Sequence, residues 1–310
     1  MALTADAGSA NGDQFAAHAD SFPFVRQKLS EAQARRGVAP TSSSEQPRQL
    51  FLPGLEEFMR AMPNHAARSS LFAPIARGKR PYHQQKVLVS RGDATITYTG
   101  YQLDEAQADV WMQLMYEAKD VPLGASVRMN RCAFLRAIGR GTSGRDYEWL
   151  RSTMIAFTSA TLVVEVRKPD GATKYKVGRT RAFHMLADFD YDADTGAYNF
   201  TVDPRWAVLF GGREYALIDW NRRLQIEAGC DMAKAIQRLI ATSSNKVQSY
   251  SLEWLKEKLQ YKSPLRKFRV ALLASIDELE RVGVVDRGRI RCSAKGVEQL
   301  QLIKSDGGCG

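Results

Sequence analysis

The chain has 310 residues, 44% of them hydrophobic and 25% charged, enough to build about two cored domains. Its 44 Lys and Arg against 34 Asp and Glu leave a net charge of +10, which points to a polyanionic partner and says nothing about fold. Four cysteines (Cys132, Cys230, Cys292, Cys309) lie far apart with no CxxC, no apolar run nears the roughly 18 residues of a membrane span, and the first residues lack a basic-then-apolar signal. Disulfide-scaffold, zinc-ribbon, membrane and secreted classes are thereby disfavoured, and a cytoplasmic protein without cofactor is expected.

Residues 1–46 are rich in Ala, Ser, Gly and Gln. They bury too little to offset their ordering entropy, so a disordered tail and linker are expected there. From residue 47 the chain becomes denser in apolar groups. Val87–Ser90 and Thr95–Tyr101 read as strands around an Arg91-Gly92-Asp93 turn. Asp104 opens a helix with Ala108, Trp111, Met112 and Met115 at helical spacing. Asn130 caps a second helix through Ile138, and a glycine-rich turn (139–144) leads to a third, on which Tyr147, Leu150, Met154 and Phe157 share a face. Leu162–Val166 and Lys174–Val177 then read as a hairpin around Pro169-Asp170-Gly171. Helix, tight turn, helix, hairpin is the plan of a winged helix-turn-helix.

The order recurs about 120 residues later. Asp231 and Ser251 cap two helices, Tyr261–Pro264 is a turn, and the next helix buries Leu265, Phe268, Leu272, Ile276 and Leu279. Val284–Asp286 and Ile290–Cys292 around a Gly288 turn, with Leu300–Ile303, are candidate strands. A hairpin (184–189 with 197–202) and a helix (204–210) fall between the copies. An α+β protein is predicted, with two tandem winged helix-turn-helix domains at 47–203 and 204–310.

Positive charge concentrates in both copies. Between Arg128 and Arg181 twelve bases face four acids, and from Arg205 to Ile303 eighteen face eleven. Arg266, Lys267 and Arg269 avoid the apolar face near the start of their helix, the end that enters a major groove in helix-turn-helix proteins. Arg287, Arg289 and Arg291 alternate along a strand, which puts them on one side. Arg145 and Arg151 occupy the first recognition helix, with Arg140 in the turn before it, and Lys168, Lys174 and Lys176 the first hairpin; Lys262 sits in the second turn. These are the candidate DNA contacts, arginine for guanine edges and lysine for phosphate.

Other motifs carry less. Gly139–Gly144 matches GxGxxG but follows a helix instead of a strand, so it is read as a helix–helix turn. Asp188–Gly196 resembles a calcium loop but has its glycine out of register and no twelfth-place Glu, so a hairpin turn is preferred. The histidines form no ligand pair, there is no P-loop, and no paired carboxylates suggest catalysis; neither enzyme activity nor a metal is expected. Trp149 and Trp254 could stack on bases but are better read as core. Gln49, Leu50 and Leu52 resemble the short peptide by which bacterial proteins engage the sliding clamp, although packing on the first domain explains them equally well.

The runs RSSLFAPIARGKR (68–80), QLDEAQADVWMQLMYEA (102–118), FLRAIGRGTSGRDYEWLRSTMIAFTSATLVVEVRKPDG (134–171) and DPRWAVLFGGREYALIDWNRRLQI (203–226) resemble the TrfA family of plasmid replication initiators. The resemblance implies two winged-helix domains that bind direct repeats (iterons) in a plasmid origin. It further implies melting of origin DNA, contact with single-stranded origin DNA, recruitment of the host initiator, replicative helicase and sliding clamp, an inactive homodimer, and a bacterial cytoplasm. A winged-helix transcriptional repressor acting as a dimer on an operator is the alternative.

Overall fold

A computed structural model describes residues 58–305 apart from 76, 77, 79, 92, 123, 180–182 and 193. The tail expected at 1–46, and Gln49, Leu50 and Leu52, lie outside the described residues. The chain opens with β1 (Met59–Pro63), α1 (Asn64–Arg68), β2 (Phe72–Ala73), β3 (Tyr82–Leu88), β4 (Ala94–Tyr101) and β5 (Leu103–Asp104). There follow α2 (Glu105–Glu117), β6 (Ser126–Met129), α3 (Arg131–Ala137), α4 (Gly144–Ser159), β7 (Thr161–Arg167), β8 (Thr173–Val177), β9 (Phe183–His184), β10 (Leu186–Tyr191) and β11 (Tyr198–Val202). After α5 (Trp206–Phe210), β12 (Tyr215–Asp219) and α6 (Trp220–Gln225) come α7 (Asp231–Ile240), β13 (Val247–Ser251), α8 (Leu252–Lys258), α9 (Leu265–Arg281), β14 (Val285–Cys292) and β15 (Glu298–Lys304).

Helix starts sit where cap chemistry puts them. Asp104 accepts from Gln107 N at 2.8 Å while the Gln107 side chain accepts from Asp104 N, a reciprocal box that begins α2. Asn130 and Ser251 accept from Ala133 N and Trp254 N and begin α3 and α8. Pro264 stands one residue before α9, at the cap and not inside the helix.

Two runs of elements share one order of helix, strand, helix, helix, strand, strand. In the first, α2, β6, α3, α4, β10 and β11 form it, with sheet order β10–β11–β6. In the second, α7, β13, α8, α9, β14 and β15 form it, with sheet order β13–β15–β14. In both, the strand before the middle helix pairs with the last strand.

Three expectations are corrected. The hairpin β7–β8 is not the one that closes the first unit; β10–β11 is. Strand β7 pairs with β8 as expected and, on its other side, with β4, setting Val166, Val164 and Leu162 opposite Ala94, Ile96 and Tyr98, and alternate burial of these partners fixes that register. Residues 206–220 belong with the first core: Trp206, Phe210, Ile218 and Trp220 are buried in it, and β12 pairs with β1, while the second core begins at Ile226. The boundary thus lies within α6, not after residue 203. Finally, Gly288 is no turn but sits inside the continuous β14; a Cβ there would meet Ile276 and come within 2.7 Å of Leu302, so only glycine lets this strand cross α9 so closely.

The units meet through a buried ionic layer. Glu105 on α2 pairs with Arg238 on α7 and with Arg223 on α6 at 3.2 Å; Asp109 pairs with Arg223 and, at 2.8 Å, with Lys234. Glu105, Arg223 and Arg238 are fully inaccessible to solvent. Burial raises the Asp109 carboxyl, but Arg223 and Lys234 outweigh it and hold the group below its ordinary range. Arg68 adds bonds to the Thr242 hydroxyl (3.0 Å) and carbonyl (2.7 Å).

Candidate nucleic-acid interface

The second helix of each pair begins at a turn that leaves its first residues in solvent. On α4, Ser143 and Asp146 form a reciprocal cap, and the bonds from Ser143 hold Asp146 below the usual carboxylate range. Arg140 lies over this first turn, its guanidinium 3.6 Å from the Trp149 ring centre and 3.9 Å from Asp146. Arg145 and Arg151 project from α4 as exposed cations without an ion pair among the described residues. On α9, Arg266 and Lys267 are exposed in the first turn, also without an ion pair there, and Lys262 is exposed in the preceding turn. Arg269 differs, because its guanidinium is bound to Glu298 on β15.

The hairpins divide similarly. Lys168 is exposed near the β7–β8 tip, whereas Lys174 pairs with Glu214 at 2.5 Å and Lys176 with Glu165. On β14, Arg287, Arg289 and Arg291 alternate along the strand and make no ion pair among the described residues. Gly288 between the first two faces α9, so the arginines face away from it. Burial, then the charges of Arg291 and Arg287, push the Arg289 guanidinium below its ordinary value. No ion pair among the described residues neutralises these like charges, so they remain open to an anion such as a phosphate.

The candidate cations therefore fall into two groups. Arg145, Arg151, Lys168, Lys262, Arg266, Lys267, Arg287 and Arg289 are open to a ligand; Arg140, Lys174, Lys176 and Arg269 already hold carboxylates. Sequence inspection left out Arg128 and Arg131. Arg131 lies 4.7–5.3 Å from the ring centres of Tyr147, Tyr191 and Tyr198, beside a surface cavity of about 460 Å³ that Arg128 and Cys132 also line. The tyrosines come from α4, β10 and β11, so only the fold brings them together. Trp149 and Trp254 are half-buried against the two cores, and Trp254 stacks on Tyr250.

No helix among the described residues is long and apolar enough to cross a membrane. The family described as TrfA protein matches residues 26–291. A plasmid replication initiator protein TrfA of Escherichia coli is 25% identical over 276 residues, covering 84% of this chain and 68% of that protein. Among solved structures, domains 2 and 3 of RctB match with a TM-score of 0.51 at 13% identity, over 79% of this chain and 99% of that one. Another structure of RctB domains 2–3 gives 0.48 at 12% identity, over 76% and 95%. At such identities the likeness to RctB concerns the fold alone.

Proposed function

From the premise that this chain belongs to the TrfA family of plasmid replication initiators, we propose that it binds the direct repeats of its origin through two winged helix-turn-helix modules. The carrying observation is the repeated element order with an uncompensated cation at the same place in each, Arg145 and Arg266 as the second residues of α4 and α9, joined by Arg151 further along α4 and Lys267 beside Arg266. Two such helices on one chain can enter successive major grooves about one turn, ~10 bp, apart. Binding energy, spent on deforming flexible pyrimidine–purine steps, then drives melting. The protein performs no chemistry of its own, and the host initiator, helicase and clamp act on the opened origin, where single-stranded DNA is a further ligand. Gln49, Leu50 and Leu52 are the proposed clamp contact, and the homodimer is the inactive form.

Footprinting on the duplex flanking the gene tests this. An initiator protects direct repeats as a monomer; a repressor protects an inverted repeat as a dimer, and that result would overturn the proposal. Arg266→Ala with Lys267→Ala should abolish the preference for the repeat over random duplex. Gln49→Ala with Leu50→Ala should weaken retention on the sliding clamp while DNA binding stays intact.

A further inference from the structure

The sheet ladders align the two closing hairpins residue by residue. Asn130 and Ser251 cap the middle helices. Two residues earlier, Arg128 pairs with Asn199 in the first unit and Ser249 with Gln301 in the second. Across the next ladder, Asn199 faces Asp190, and Gln301 faces Arg289. Both outer strands even break register at the same place, between Leu186 and Asp188 in β10 and between Val285 and Arg287 in β14. Asp188 and Asp190 therefore occupy the positions of Arg287 and Arg289, and Asp192, just past β10, that of Arg291. One strand presents three carboxylates where its counterpart presents three guanidinium groups.

The two rows also differ in what they already hold. Asp192 accepts from the backbone N–H groups of Asp194 and Thr195 at 3.0 Å each and faces Arg128 at 3.8 Å; Asp190 accepts from Asn199 at 3.5 Å. Hydrogen bonds from Thr195 hold the Asp192 carboxyl below its ordinary range. The acidic row is thus partly satisfied inside its own unit. The side chains of the basic row have no such partners among the described residues, and Ser249 stands where the first unit has Arg128.

We infer that the chain grips DNA unequally: Arg287, Arg289 and Arg291 lie along one phosphate backbone, whereas the matching hairpin of the first unit stands clear of the duplex. This inference rests on the DNA-binding function proposed above. Alternate residues of a strand are about 6.7 Å apart, so the arginines form a regular cationic row on one side of the sheet. Carboxylates brought to the same phosphates would meet like charge at every step. The first unit then touches DNA through α4 without its closing hairpin.

Binding of the full chain to labelled origin duplex, followed by anisotropy from low to high salt, tests this. Arg287→Gln, Arg289→Gln and Arg291→Gln together should lower the slope of log K against log salt by about 2–3. Asp188→Asn, Asp190→Asn and Asp192→Asn together should leave Kd within about twofold and the slope unchanged. Because Asp192 holds the turn, the double variant Asp188→Asn/Asp190→Asn provides the same readout if the triple variant fails to fold. Tightening beyond twofold in the folded aspartate variant, or an unchanged slope in the arginine variant, overturns the inference. A wild-type chain that binds no origin DNA defeats the proposed function itself, a separate failure.

Discussion

The two units carry one element order on differently built cores. In the first, Trp111 packs against Trp206 at 4.6 Å and Phe157 at 6.1 Å, Phe183 packs on Trp206, and strands β7, β8 and β9, which pair with the earlier β3–β4, are inserted between α4 and the closing hairpin. In the second, α9 runs directly into β14, and the core is mostly aliphatic: Ile236, Leu239, Leu255, Leu272, Ile276 and Leu300. The pairing of the strands is common to both; what precedes the hairpin, and the charge on its outer strand, are not. Side chains on the solvent face of an edge strand contribute nothing to the core, so the fold tolerates aspartate in one copy and arginine in the other.

The smaller second core also relies on the first through the ionic layer. Glu105→Gln therefore has the largest expected effect on stability. It leaves Arg238 and Arg223 buried with too little counter-charge, a loss of about 3–5 kcal/mol. Denaturant unfolding monitored at both cores should show the second unit melting earlier; if the units stay equally stable, the layer does not couple them. Next comes Gly288→Ala, which drives a methyl group into Ile276 and Leu302 at an expected cost of about 1–3 kcal/mol. Phe189 stands at the matching place in the first unit, so the close crossing of helix and strand belongs to the second unit alone.

What the sequence made legible was local. Caps at Asp104, Asn130 and Ser251, the apolar faces of α4 and α9, and the strands β4 and β7 all follow from neighbouring residues. Choosing the hairpin that closes the first unit required knowing that β7 prefers β4, a pairing across about 65 residues that no local pattern records. The strands β6 and β13 were missed because four or five residues between helices look like loop until β11 and β15 pair with them. The ion pair that occupies Arg269 was invisible for the same reason, its carboxylate lying 29 residues away.

Lys258 marks a further difference between the units, since Ala137 fills its place in the first. Its ammonium is fully buried and makes no hydrogen bond among the described residues. Burial, then the Arg238 charge, lowers it from its ordinary 10.5 to about 7 against the upward pull of Glu105. The unfolded chain keeps this proton up to about 10.5 and the folded chain releases it near 7. Between those values the unfolded state binds more protons, so stability rises with pH across that window. Lys258→Met should stabilise the protein at pH 7 by about 1–3 kcal/mol and flatten that rise. Urea midpoints that climb equally in both proteins from pH 7 to 9 would place the titration elsewhere.

The smallest effect is expected at β7–β8, the inserted hairpin that has no counterpart in the second unit. Lys174 and Lys176 are each held by a carboxylate, Glu214 and Glu165, so a phosphate must displace that partner before it gains a cation. Each exchange swaps one ion pair for another and releases fewer counterions from DNA than a free arginine would. Lys174→Gln with Lys176→Gln should therefore lower the salt slope by less than about 1, against about 2–3 for the β14 arginines. A drop as large as that of the arginine variant would mean that the inserted hairpin, and not the acidic one beside it, takes over the backbone contact in the first unit. The two units would then grip DNA equally, though with strands from different sheets.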